Sequence, residues 1–134
     1  MKLLMIFLTT ILCGFAAHAI SGYQGNFLPG VSVAIASGDQ SSAVVSLKGF
    51  VPVGVQTPAA LTGTALTFEV CNSTGSSCVP LKVTTSGTAL SYTVTTSSYY
   101  AFDPVPFNGV QFLKLKSGTA EGANRVLLLS LKGL

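Results

Sequence analysis

Two cysteines, each closing an alternating stretch of sequence, constrain this chain more than any other feature. Residues 65–71 read ALTFEVC and residues 78–83 read CVPLKV, with the six polar residues NSTGSS between them. If Cys71 faces Cys78 across a ladder, Val70 faces Val79, Phe68 faces Leu81 and Leu66 faces Val83. Successive side chains of a strand point to opposite faces, so those six apolar residues share one face. Thr67, Glu69, Lys82 and the cysteines then take the other. Pattern and pairing agree, which specifies the register of a β-hairpin. A Cys71–Cys78 disulfide follows, and closing a loop of about eight residues stabilises by roughly 2.5 kcal/mol.

Such a bridge requires an oxidising compartment, and the N-terminus supplies a route to one. Lys2 precedes an apolar run over residues 3–15, and Ala17-His18-Ala19 has the small-x-small form of a cleavage site. Residues 1–19 therefore read as a secretory signal peptide, with an uncleaved N-terminal anchor as the alternative. The apolar run is shorter than the about 20 residues that a spanning helix needs. Export to the periplasm, the medium or a particle surface is expected, with membrane contact through residues 1–19 if they are retained.

What remains, residues 20–134, is the length of one domain. The only histidine, His18, leaves with the signal, and tryptophan is absent. Arg125 and five lysines (48, 82, 114, 116, 132) stand against Asp39, Glu69, Asp103 and Glu121. That scattered, slight positive balance gives no nucleic-acid footprint. The surface must be covered mainly by Ser, Thr, Gly, Gln and Asn, which suits a rigid β-protein that packs against copies of itself.

Along the chain, residues 20–30 hold three glycines, a proline and no period, and read as a flexible arm. From residue 31 alternation is continuous. Val31, Val33 and Ile35 alternate with small residues, as do Ala43, Val45 and Leu47. Residues 51–55 continue the theme, but Pro52 cannot donate to a ladder, so this strand lies at an edge or carries a bulge. After the hairpin come Leu90, Tyr92 and Val94, then residues 99–107 (YYAFDPVPF), whose prolines keep their second half out of a central strand. Residues 110–116 and 125–132 are the most apolar runs. In the latter, Leu127, Leu129 and Leu131 share one face while Val126 and Leu128 take the other. Such a strand is covered on both faces or meets a neighbouring subunit. No stretch of ten residues in the mature chain has a 3.6-residue period. Eight or nine short strands separated by turn signals predict one all-β domain over residues 31–134, an antiparallel, jelly-roll-like β-sandwich.

Chemistry is sparse. Acid–base or nucleophilic catalysis needs a group that titrates near neutrality, and four unpaired carboxylates offer none. Asp103 and Glu121 read as turn or capping residues. No ligand cluster for zinc or calcium is evident, and no cofactor is expected. Asn72-Ser73-Thr74 matches an N-glycosylation acceptor, as a Ser/Thr-rich loop will by chance. The aromatic group Tyr99, Tyr100, Phe102 and Phe107 is the candidate ligand or partner surface. Its alternative role is to seal one end of the core.

The chain also resembles a family of small structural proteins of tailed phages. The likeness covers most of residues 35–131. It is carried by Pro-Ala-Ala-Leu-Thr at 58–62, Leu-Thr-Phe at 66–68 and Asp-Pro-x-x-Phe at 103–107 with Gly109 following. Leu-Lys-Leu-Lys-Ser-Gly-Thr at 113–119 and Asn-Arg at 124 and 125 complete it. The resemblance implies a jelly-roll-like sandwich that decorates or attaches, without enzymatic activity, and whose partners are its own copies or other virion proteins. The signal-like segment and the bridged hairpin lie outside that pattern, and both point to export. The other expectation is a secreted bacterial carbohydrate-binding or adhesive module, with surface carbohydrate as its partner.

Overall fold

The computed structural model describes residues 27–83 and 87–133, so the signal-like segment lies outside the described residues. Nine strands form: β1 (Phe27–Ile35), β2 (Val45–Ser46), β3 (Phe50–Gln56), β4 (Ala65–Cys71), β5 (Cys78–Pro80), β6 (Ser91–Thr93), β7 (Tyr99–Ala101), β8 (Phe112–Ser117) and β9 (Arg125–Gly133). One sheet, A, has the order β1-β9-β3-β7; the other, B, has the order β2-β8-β4-β5, with β6 also pairing β4. All pairings are antiparallel. The chain steps from sheet to sheet at nearly every connection, which is the winding of a jelly roll.

The two inner faces are built by the period-2 rule. Val33, Ile35, Val51, Val55, Leu127, Leu129 and Leu131 of sheet A meet Val45, Leu66, Phe68, Leu113 and Leu115 of sheet B, all buried. In β8 the alternation is complete: Leu113, Leu115 and Ser117 point inward and the residues between them are less buried.

The hairpin forms in the expected register, with Cys71 opposite Cys78, Val70 opposite Val79 and the disulfide closed. Leu81 N–H still donates to Phe68 O (2.8 Å), but Leu66 does not meet Val83. The chain peels off after Leu81 and folds on itself, with Lys82 bridging Ala89 and Leu90 N–H donating to Leu81 O (2.7 Å). That frees the base of β4 for β6, which sets Leu66 opposite Tyr92. The Tyr92 ring then packs edge-on against Phe68 at 6.0 Å and tilted against Phe102 at 4.6 Å, an aromatic contact that a valine cannot replace. Val79, at the tip, overhangs the core and is 63% exposed.

Two further expectations change, and one with two alternatives is decided. The arm ends sooner than residue 30, because Phe27 and Leu28 already pair with Lys132 and Leu131. A register shift between Leu28 and Val31 absorbs Pro29 and Gly30 and hides the alternation. Pro52 marks a bulge, not an edge: β3 lies between β9 and β7, with a shift between Pro52 and Gly54. The alternation over residues 43–48 yields only the two-residue β2, since Lys48 and Gly49 both turn with positive φ (49° and 83°).

Candidate interaction surface

Of the four aromatics proposed for a partner surface, two lie in the core. Phe102 and Phe107 are buried, with ring centroids 5.3 and 5.1 Å from Phe68. They seal one end of the sandwich, so the surface assignment is corrected for both. The turn at Val105–Phe107 that carries Phe107 inward is held by Asp103, whose carboxylate accepts from Val105 N–H at 3.0 Å. Tyr100 is half-buried, and its hydroxyl is tied to Thr95, accepting from the backbone N–H at 2.7 Å and lying 2.8 Å from Oγ1. These hydrogen bonds hold the Tyr100 hydroxyl below its ordinary pKa, against the smaller effect of burial.

Tyr99 remains. It is 57% exposed, and its ring lies across Gly54 of β3, where any β-carbon would collide with the phenol. The exposed ring could swing aside, but the backbone Tyr100 O lies 2.8 Å from where that β-carbon would sit, so a side chain at Gly54 would also force β7 to shift. Tyr99 belongs to the outer face of sheet A, together with Ser32 and Ala34 of β1, Val126, Leu128 and Ser130 of β9, and Gln56 of β3. Register aligns these residues in rows, with Ser32 beside Leu128, Leu128 beside Gln56, and Gln56 beside Tyr99. Val126 and Leu128 are 50% and 39% exposed, so nothing among the described residues covers the second apolar face of β9. Sequence reading identified Val126, Leu128 and Tyr99 separately. It did not join them, because their adjacency depends on β9 lying between β1 and β3.

At one end of the sandwich, Glu121 ties three loops together. It is 1% exposed. Its carboxylate accepts from Thr62 N–H (2.8 Å), Gly63 N–H (3.3 Å) and Ser117 Oγ–H (2.6 Å). Arg125 Nε lies 3.5 Å away. Its backbone joins the same knot: Gly38 N–H donates to Glu121 O at 2.7 Å, and Glu121 N–H donates to Asp39 O at 2.9 Å. Burial alone raises the Glu121 pKa, but the hydrogen bonds from Ser117, Thr62 and Gly63 outweigh it and hold the group below its ordinary value of 4.5. The expected turn role is thus enlarged to a buried staple.

An open groove of about 860 Å³ borders the end of β1 and residues 39–43 and includes Lys114, Lys116 and Asn124. Both ammonium groups are engaged: Lys114 Nζ donates to Gly75 O at 3.0 Å, and Lys116 Nζ pairs with Glu69 at 3.4 Å. Among the described residues no three His, Cys, Asp or Glu side chains cluster as metal ligands. No described helix is long and apolar enough to cross a membrane.

Fold and surface together define a jelly-roll β-sandwich that presents one uncovered apolar sheet face. No protein-family model matches the chain, and no curated protein or solved structure is detectably similar to it.

Proposed function

We propose that the chain is a non-enzymatic structural or attachment subunit of a virus particle or cell surface, comparable to phage virion decoration components, and that it works by packing against copies of itself. The observation that carries this reading is the outer face of sheet A. Val126, Leu128 and Tyr99 lie exposed there among small or neutral side chains, with charge confined to Lys132 at the end of β9, where a monomeric domain would spread charge across the face. The residue pattern that resembles phage structural proteins supports it as well. Export through residues 1–19 brings the subunit to an oxidising compartment where the Cys71–Cys78 bridge can close.

Intact mass and source fraction of the natively made protein test this reading. The expected result is recovery with purified particles or with a surface or membrane fraction, in assemblies of more than one chain. A monomer beginning at Ile20, found only in soluble periplasm or medium, would contradict it. That outcome favours the secreted carbohydrate-binding module, for which the exposed ring of Tyr99 beside Gln56 is the one supporting feature. Loss of glycan binding in Tyr99→Ala would then be the next check.

A further inference from the structure

The open edge of sheet A supports a more specific inference, which rests on the subunit reading above. Hydrogen bonds around β3 fix the direction in which each backbone group points. Phe102 N–H donates to Val53 O and Thr57 N–H to Ser98 O, both at 2.8 Å, so these β3 positions face β7. Gly54 and Gln56 therefore face β9, opposite Ser130 and Leu128. Backbone groups alternate sides along an antiparallel strand. Leu127 and Leu129 accordingly face β1, bonding Val33 and Val31. It follows that Ser32 and Ala34 point their N–H and C=O groups away from β9, toward the open edge. None of those four groups has a partner among the described residues.

Natural sandwiches protect their edges by shortness, charge, proline or bulges. Here β2 has two residues and β5, β6 and β7 have three each. β1 has nine and carries no charged side chain. Pro29 and the bulge after Leu28 blunt only its first half. Residues 31–35 form a regular, uncharged edge.

We propose that a second copy of this chain adds antiparallel along β1. A twofold axis through Val33 brings Ser32 of each copy opposite Ala34 of the other. The four edge groups of each copy are then satisfied, and the sheet runs β7-β3-β9-β1 into β1-β9-β3-β7. Self-complementarity selects a second copy over an unrelated strand: about this axis the same four backbone groups of residues 32 and 34 donate and accept on both sides, so one uncharged edge satisfies the other. The side chains nearest the seam, Ser32 and Ala34, are small enough to lie side by side.

Amide hydrogen exchange on the mature protein (residues 20–134), dilute and concentrated, tests this directly. The Val33 and Ile35 amides bond to β9 and stay slow throughout. The Ser32 and Ala34 amides are expected to exchange fast when dilute and to slow by about tenfold or more on association. Ala34→Pro deletes an N–H that the β9 ladder does not use, and slow Val33 and Ile35 amides in the variant certify its fold. Its dissociation constant is expected to rise about tenfold or more, as the loss of one or two hydrogen bonds implies. If the variant fails to fold, the wild-type exchange result decides alone. Association with fast Ser32 and Ala34 amides would overturn the seam and leave the subunit reading standing. A protein that stays monomeric at every concentration would remove both. Slow Ser32 and Ala34 amides in the dilute monomer would show the edge to be covered within one chain, and would overturn the seam.

Discussion

The two sheets share one core and treat solvent in opposite ways. Sheet B turns Lys114, Lys116, Thr67 and Glu69 outward, and Glu69 pairs with Lys116 at 3.4 Å across adjacent strands. All its edge strands are two or three residues long. Sheet A turns Ala34, Val126, Leu128, Gly54 and Tyr99 outward and leaves a nine-residue strand at its edge. Charge and short edges are both devices that keep sheets from adding to one another. B carries both devices throughout, whereas on A charge is confined to Lys132 at the end of β9 and only the β7 edge is short, which marks A as the side built for contact. The inner faces, equally rich in Leu and Val, carry no such distinction.

The largest expected effect tests what the sheets have in common. Phe68 of sheet B touches Phe102, Phe107 and Tyr92. Phe68→Ala should destabilise the whole domain by about 3–5 kcal/mol, seen in thermal unfolding as one transition at lower temperature. Two separated transitions would mean that the sheets are independent units and that the comparison concerns two domains.

Glu121 comes next, because its staple joins loops leading to both sheets. Glu121→Gln keeps the shape but presents an amide to the donors of Thr62 or Gly63, and should cost about 2–3 kcal/mol at neutral pH. The sign with pH follows from a pKa held below 4.5 in the folded state. Its stabilisation is complete above that value and is lost as pH falls through the lower folded value. Denaturant titrations from pH 7 to pH 2 should show an acid-limb loss of stability that is weaker in the variant.

Replacing both Cys71 and Cys78 by serine should have a smaller effect, at most about 2.5 kcal/mol, because the loop they close is short. The loss is confined to the tip of β4 and β5 in sheet B. Self-association should be unchanged, as gel filtration of the variant would show. A loss of association would move the contact surface from A to B.

These comparisons separate what sequence could reveal from what it could not. The hairpin was legible because period-2 alternation on both arms and the cysteine pair fixed one register. The sandwich was legible because the alternation persists from residue 31 to residue 132 with turns between. Where β1 begins was not, because the bulge at Pro29 and Gly30 breaks the phase of its alternation. The pairing of Leu66 with Tyr92 was not, because a sequence shows which residues alternate but not which strand fills a vacant side. Glu121 looked like an ordinary turn residue, since its Thr62 and Gly63 donors lie 59 and 58 positions away. The aromatic run at residues 99–107 looked uniform, yet successive side chains alternate, sending Tyr99 outward and Phe102 inward. The surface was therefore half legible: its apolar members stood out singly, and the fold alone placed them together.

The most direct measurement is sedimentation equilibrium of the mature protein beside two matched variants, Leu128→Lys on sheet A and Thr67→Lys on sheet B. Each places a lysine on an outer face; since Thr67 lies opposite Lys116, thermal unfolding first checks that both variants keep the fold. The expected result is concentration-dependent association of the wild type, weakened about tenfold or more by Leu128→Lys and left alone by Thr67→Lys. A wild type that stays monomeric, or two variants that behave alike, would contradict the assignment of sheet A as the contact surface.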